Sequence, residues 1–269
     1  MTPLAIDLFC GLGGWTEGLL SVGYDVIGFD IEQHVYGEAR YPAQLVVQDV
    51  LTLHGSQFRS ADLIVASPPC QEFSYMAMPW SLAKAKAADI RADTSGQKLA
   101  DLTRLFDACF RIQREAVEAS GRHIPMVVEN VRGAIPWVGR SRWNFGSFHL
   151  WGDVPALMPQ ARHCQVPGFR FDGNGKSFQT SAVQEVRKTA GMNWSNRELH
   201  GQDFTRIAGM QTQCDAGDGI KCGGDWFNRD QPSISRLTSS KSPTRKAASA
   251  MIAKIPLPLS RYIGEVFKA

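Results

Sequence analysis

The sequence lacks most of the features that mark membrane, secreted and fibrous proteins. No apolar run in its 269 residues approaches the ~20 needed for a membrane-spanning helix. The opening segment, Met1 to Asp7, has no basic start and meets an acid at position 7, so no signal peptide is expected. Cysteine is scarce, six residues without close pairing, which argues against a disulfide framework and for a reducing, cytosolic setting. There is no internal repeat and no low-complexity tract. With 43% hydrophobic and 20% charged residues, collagen, coiled coil and wholesale disorder are excluded.

The total charge of +3 is unremarkable, but it is unevenly spread. Residues 1–150 carry 13 Lys/Arg against 16 Asp/Glu, a net −3; residues 151–269 carry 16 against 10, a net +6. Between Asp230 and Glu265 there is no acid, yet Arg236, Lys241, Arg245, Lys246, Lys254 and Arg261 fall there among Ser and Thr. Such texture suits phosphate contact or a solvated tail.

Short apolar runs followed by helical patterns fill the first half. Strands are expected at Leu4–Phe9, Asp25–Phe29, Leu45–Asp49 and Asp62–Ala66, with helices near Trp15–Val22 and Gln33–Arg40, where Pro42 stops the second. Residues 71–97 read as a long loop. Leu99–Ala119 is the strongest helix, its Leu102, Leu105, Phe106, Cys109, Ile112 and Val117 forming an apolar stripe; Pro125–Val131 is a buried strand ending in an acid. This alternation predicts a doubly wound, mostly parallel α/β sheet. From about Gly146 to Ser242 the texture turns short, aromatic and polar, as in a second, irregular module. Leu259–Phe267 would fit back on the sheet as a helix.

Three places carry chemistry. The turn Asp7-Leu8-Phe9-Cys10-Gly11-Leu12-Gly13-Gly14 lets backbone approach a ligand closely. It departs from the dinucleotide fingerprint, which wants glycine where Thr16 stands. Asp30 follows Gly13 by 17 residues, near the ~20 at which an acid meets ribose hydroxyls, and Asp49 ends another strand at the same edge. Together these acids point to a nucleoside, although each alone would serve as a helix cap. Cys70 follows two prolines at a strand end and precedes Gln71 and Glu72; a rigid, polar turn suits a nucleophile better than a core cysteine, the reading for Cys109. Glu129 closes the run Val127-Val128, where burial is costly unless the acid is paired or protonated.

DLFCGLGG at 7–14, SPPCQEFS at 67–74 and VENV at 128–131, in that order, closely resemble three signature motifs of the DNA cytosine-5 methyltransferases, in a short, phage-like form. The resemblance covers roughly residues 4–131, with an echo at Ile255–Leu259 to Ile263-Gly264. It implies a Rossmann-like class I methyltransferase domain over residues 1–149, completed by 243–269. A small target-recognition domain would occupy 150–242. It further implies S-adenosylmethionine as methyl donor, S-adenosylhomocysteine as product, and double-stranded DNA as partner. No membrane association or metal is implied. A monomer is expected, with a cognate restriction nuclease as a candidate partner.

The resemblance also assigns residues. Phe9 would stack on the adenine and the backbone of residues 11–14, with Gly11, Gly13 and Gly14, would enclose the methionine portion; Asp7 and Cys10 would also belong to the cofactor site. Asp30 would hold the ribose hydroxyls and Asp49 would lie near the adenine amino group, with Ile31, Val50 and Pro68 also in the cofactor site. Cys70 matches the nucleophile and Glu129 the acid facing N3 of the target base. Gln71, Ser74, Lys84, Lys86, Asn130 and Arg140 would meet substrate or DNA, within and beside a segment that closes over a flipped-out base. Arg142 is the best match for the family's arginine at the cytosine O2. It follows Val131 much sooner than the family pattern, and Ala253-Lys254 stands where the family has glycine-asparagine. His163, Cys164, Cys214 and Cys222 fit no standard zinc spacing.

Other readings are RNA cytosine-5 methylation, whose Cys-Phe-Thr signature is absent, a catalytically impaired binding homologue, and a nicotinamide-dependent oxidoreductase.

Overall fold

In a computed structural model, the described residues are 2–73, 80–146, 148–158, 246, 250 and 253–268. Met1–Gln160 and Lys254–Ala269 group together as one compact unit. The target-recognition domain expected at 150–242, with His163 and the cysteines considered for zinc, lies mostly outside the described residues, as does Ser74.

The strands are β1 (Leu4–Leu8), β2 (Asp25–Asp30), β3 (Val35–Tyr36), β4 (Ala39–Arg40), β5 (Gln44–Val47), β6 (Leu63–Ala66), β7 (Met126–Asn130), β8 (Trp143–Phe145) and β9 (Phe148–Gly152). The helices are α1 (Gly14–Ser21), α2 (Trp80–Ala92), α3 (Gln97–Ser120), α4 (Ile135–Val138) and α5 (Leu257–Phe267). One seven-stranded sheet has the order β5-β2-β1-β6-β7-β9-β8. The first five strands in that order are parallel, and β9 runs antiparallel to both neighbours. The expected doubly wound, mostly parallel α/β sheet is therefore present.

Both faces of the sheet are covered, which is why β6 and β7 read as unbroken apolar runs. On one face Ile6, Leu8, Ile64, Ala66, Met126 and Val128 pack with Phe106, Cys109, Ile112 and Ala116 of α3. Those α3 positions recur at helical spacing, and glycines 96 and 121 bound the helix in left-handed conformation. On the other face the alternate residue Asp7 bonds to Thr16 of α1. Cys109 is fully buried in the core, as a small hydrophobe.

Helix α5 closes the unit by packing against α1 through glycines. A Cβ on Gly18 would stand 2.1 Å from Ser260 Oγ and 2.4 Å from the Arg261 nitrogen, and one on Gly14 would stand 2.3 Å from the Ile255 nitrogen. Lys254 donates to Glu17 (2.5 Å) and the Tyr24 hydroxyl to the Gly264 carbonyl (3.3 Å), adding polar ties to this seam.

Three expectations need correction. Residues 33–40 form no helix: β3 and β4 make a tight hairpin about Gly37, whose φ of 60° only glycine adopts readily, flanked by strand-favouring Val35 and Tyr36. Residues 71–97 are not all loop, because the alanine-rich stretch 80–92 forms α2, with Ala83, Ala87 and Ile90 buried on one side. The sheet also continues past residue 149. Phe148–Gly152 pairs with β7, and buried Trp151 meets Phe106 edge-to-face at 5.3 Å. Among the described residues no helix is long and apolar enough to cross a membrane.

The seam between α1 and α5 makes a sharp prediction. Gly18→Val forces the helices apart and should destabilise the protein by about 2 kcal/mol or more, as overpacking does. Thermal denaturation would show it, and an unchanged melting temperature would contradict the packing.

Candidate functional site

Parallel pairing brings the carboxyl ends of β1, β2, β6 and β7 to a single edge of the sheet, the usual ligand edge of an open α/β fold. After β1 the chain turns at once. Phe9 has φ 57°, the single non-glycine residue with positive φ among the described residues, and Gly11 and Gly13 follow at φ 51° and 78°. A strained residue in this position marks a turn that the surroundings enforce. The Cys10 N–H donates to the Phe29 carbonyl (3.1 Å) and the Gly11 N–H to Asp30 Oδ2 (2.9 Å), so the turn is stitched to the end of β2.

The glycines of this turn do different work. The space in front of the Gly11 α-carbon is open, with no atom of the described residues within 4 Å of where a Cβ would stand, so a ligand can approach its backbone. Gly13 instead rests on the chain beneath it: a Cβ there would lie 2.5 Å from Pro42 Cδ. Gly14 is pressed against Ile255.

Three strand-end acids have three environments. Asp7 is fully buried; Oδ2 accepts from the Thr16 hydroxyl (2.7 Å), while Oδ1 meets no hydrogen-bond partner among the described residues. Desolvation pushes its pKa up to about 7, against the pull of the Thr16 bond. Burial acts on Asp30 the same way, but bonds from His34 and the Gly11 N–H outweigh it and hold that carboxyl below its ordinary value. Asp30 Oδ1 also lies 3.5 Å from His34 Nε2. Asp49 accepts the Leu51 N–H (2.9 Å) and so caps the 3-10 turn that begins with buried Val50. Ile31, by contrast, is 69% exposed.

The turn after β6 holds the thiol. Pro68 is buried, Cys70 is half-buried, and Gln71 and Glu72 are exposed. The Cys70 carbonyl accepts the Phe73 N–H (3.0 Å), and Phe73 anchors the turn in the core. Burial drives the Cys10 and Cys109 thiols upward in pKa, away from thiolate chemistry. Next door, Glu129 of β7 is 3% exposed, and Asn130 Nδ2 donates to the Pro68 carbonyl (3.0 Å). That bond ties the Pro-Pro-Cys turn to the glutamate strand. Trp15 Nε1 donates to Ser67 Oγ (2.9 Å), tying the same turn to α1.

The predicted residues outside this cluster fare differently. Lys86 forms an ion pair with Glu72, and exposed Lys84 lies on the same helix, α2. Arg140 and Arg142 are exposed and precede β8, an edge strand separated from β7 by β9. Two strand spacings put the β8 and β7 backbones about 10 Å apart. Between β7 and β8 there is only a 3-10 turn and the four-residue α4, so the connection is compressed. Sequence reading missed Thr16, Tyr41 and His34. The signal for Thr16 was its place in the glycine pattern.

These features define an α/β protein with a glycine-rich turn, a half-buried cysteine and a buried glutamate at one sheet edge. Residues 4–91, from β1 into α2, match the family model C-5 cytosine-specific DNA methylase. Among solved structures, a DNA modification methyltransferase encoded within an E. coli prophage is 24% identical, with a TM-score of 0.33, over 50% of this chain and 33% of that one. The Entamoeba histolytica methyltransferase EhMeth is 18% identical with a TM-score of 0.28, over 49% and 39% of the two chains. The S. pombe Dnmt2 methyltransferase is 12% identical with a TM-score of 0.43, over 98% of both. The first two matches span well under half of those proteins' own length. No curated protein matches the chain.

The raised pKa of Asp7 has a consequence for stability. Its folded value, about 7, lies above the ordinary 3.8, so the stability it contributes is present at low pH and is lost as pH rises through 7. Asp7→Asn should therefore raise the melting temperature by about 5 °C at pH 8 and by far less at pH 5. Equal shifts at the two pH values, read by calorimetry, would contradict the burial of an ionisable acid.

Proposed function

We propose that the chain is a DNA cytosine-5 methyltransferase that uses S-adenosylmethionine and forms a covalent Cys70 adduct with its target base. One observation carries the reading: the Pro-Pro-Cys turn and the Glu129 strand lie side by side, joined by the Asn130–Pro68 bond, at the edge that also holds the glycine turn. Nicotinamide chemistry would give that pair no role.

The donor set fits the cofactor. Open backbone at Gly11, half-buried Phe9, the ionised Asp30 and the half-satisfied Asp7 would hold adenine, ribose and a cationic methionine end. Asp49, Val50, Ile31, Cys10, Gly13, Gly14 and Pro68 would complete its walls. Bound there, S-adenosylmethionine supplies an electrophilic methyl group to the activated C5 carbon of cytosine.

Cytosine C5 is too weak a nucleophile unaided. The Cys70 thiolate adds to C6, forming a carbon–sulfur bond and turning C5 into an enamine carbon. Glu129, hydrogen-bonded at N3, stabilises the charge that develops on the ring during this addition, an effect of several kcal/mol in comparable preorganised sites. After methylation, loss of the C5 proton restores the double bond and expels the Cys70 thiolate. The base must leave the duplex stack, at a cost of a few kcal/mol, and Gln71, Ser74, Lys84, Lys86 and Arg140 would meet it or the flanking strand, while fully buried Asn130, expected to meet substrate, would act through its bond to Pro68 instead. Arg142 would contact O2 only if it reaches in from the edge strand.

Incubation with methyl-labelled S-adenosylmethionine and either duplex DNA or tRNA tests the reading. Label should enter duplex DNA, and Cys70→Ser should abolish it, a loss of at least about 10³-fold. Label in tRNA alone would overturn the DNA assignment, and undiminished transfer by Cys70→Ser would overturn the covalent step.

A further inference from the structure

Beneath the glycine turn, a chain of hydroxyl groups ends on a buried acid. The Tyr41 hydroxyl lies 2.7 Å from Thr16 Oγ1, which lies 2.7 Å from Asp7 Oδ2. Thr16 commits its one hydrogen to the acid, so Tyr41 donates to Thr16. All three side chains are buried. Room for the phenol is made by Gly28, where a Cβ would lie 2.3 Å from Tyr41 Cζ, and Pro42, the next residue, supports Gly13 from below. Asp7 receives this relay on one oxygen, while Oδ1 remains buried with no hydrogen-bond partner among the described residues. The titratable groups facing it are Cys10 in the turn, Asp30 at the end of β2 and Tyr41 itself; His34 pairs with Asp30. Among the described residues no Lys, Arg or His pairs with Asp7. A buried carboxylate without a cation is an incomplete ion pair.

We propose that Tyr41 is a positioning residue that, through Thr16, holds Asp7 as the counter-charge for the cationic end of the methyl donor, so that cofactor binding is coupled to ionisation of Asp7. This rests on the cofactor reading above and adds to it a residue from the hairpin segment and a pH dependence. The proton balance is simple: the neutral Asp7 carboxyl releases its proton to solvent as the cation binds. Burial sets the titration of the ligand-free protein near neutrality. Affinity therefore rises with pH up to that midpoint, by at most about tenfold per unit, and then levels off. Donation to the ionised form lowers an acid's pKa, so removing the Tyr41 hydroxyl should move the midpoint upward.

The test is isothermal titration of S-adenosylmethionine into the full chain between pH 5.5 and 8.5, for the native protein, Tyr41→Phe, Thr16→Val and Asp7→Asn. In parallel, the Asp7 carboxyl 13C resonance is titrated without ligand, assigned by its loss in Asp7→Asn. Tyr41→Phe keeps the ring and its packing, and its melting temperature reports the fold. The expected result is a midpoint near 7 in both measurements, shifted upward by about half a unit or more in Tyr41→Phe and Thr16→Val, with a flat profile for Asp7→Asn. A Tyr41→Phe profile that overlays the native one would overturn the proposal, as would native affinity independent of pH. Should the native protein bind no S-adenosylmethionine at any pH, the cofactor reading fails, and the ligand-free resonance still decides the relay: an unshifted Asp7 midpoint in Tyr41→Phe rejects it.

Discussion

Parallel strand pairing is the constraint on which the site depends. Because β1, β2, β6 and β7 run the same way in adjacent register, whatever follows each strand must emerge at the same edge. The glycine turn, Asp30, the Pro-Pro-Cys turn and Glu129 are far apart in sequence and become neighbours for that reason alone. The remaining devices keep the edge in order: Asp30 stitches the first turn, Asn130 ties the cysteine turn to the glutamate strand, and α5 locks against α1 through glycines. Catalytic groups carried on the ends of packed strands are held more firmly than groups on free loops.

Burial sorts chemically similar groups into different roles. Asp7 and Asp30 end neighbouring strands, yet one is pushed toward neutrality by desolvation while the other is kept ionised by hydrogen bonds. Of the three described cysteines, Cys10 and Cys109 are buried and held as thiols, whereas Cys70 sits half-exposed between rigid prolines and polar residues. The cost of burying Asp7 is consistent with a stability–function trade, in which a strained or desolvated group is kept because a ligand completes it. Charge follows a similar division along the chain: residues 1–150, which hold the acids of the sheet edge, carry a net −3, and residues 151–269 carry +6.

Much of this was legible in the sequence, and the failures have physical causes. The long stripe of α3 and the apolar runs of β1, β2, β6 and β7 announce themselves, because burial on both faces leaves few polar interruptions. The three motifs point to the edge for the same reason that they sit there: turns after parallel strands need glycine, proline and strand-end acids. The β3–β4 hairpin escaped because two-residue strands have no periodicity, and a helix-like spacing from Gln33 to Arg40 outweighed the single signal at Gly37. Helix α2 escaped because alanine and lysine make a helix by propensity without a strong apolar stripe. Strands β8 and β9 escaped because an antiparallel hairpin added to the sheet's end is short and aromatic-rich, which resembles irregular chain. The Tyr41–Thr16–Asp7 relay joins three segments through side chains, and no spacing rule reports that. Thr16 was nevertheless visible as the residue that breaks the dinucleotide glycine pattern, and its hydroxyl explains the break.

The covalent role of Cys70 is the centre of the account, and one measurement addresses it most directly. Duplex DNA carrying 5-fluorocytosine in place of cytosine is incubated with the protein and S-adenosylmethionine, and the products are analysed by denaturing electrophoresis and peptide mass spectrometry. Fluorine cannot leave C5 as a proton does, so elimination stops and the sulfur–C6 bond persists. The account predicts a stable protein–DNA adduct mapping to Cys70. Methylation of the unfluorinated duplex without any adduct on the fluorinated one, or an adduct on a different residue, would contradict it.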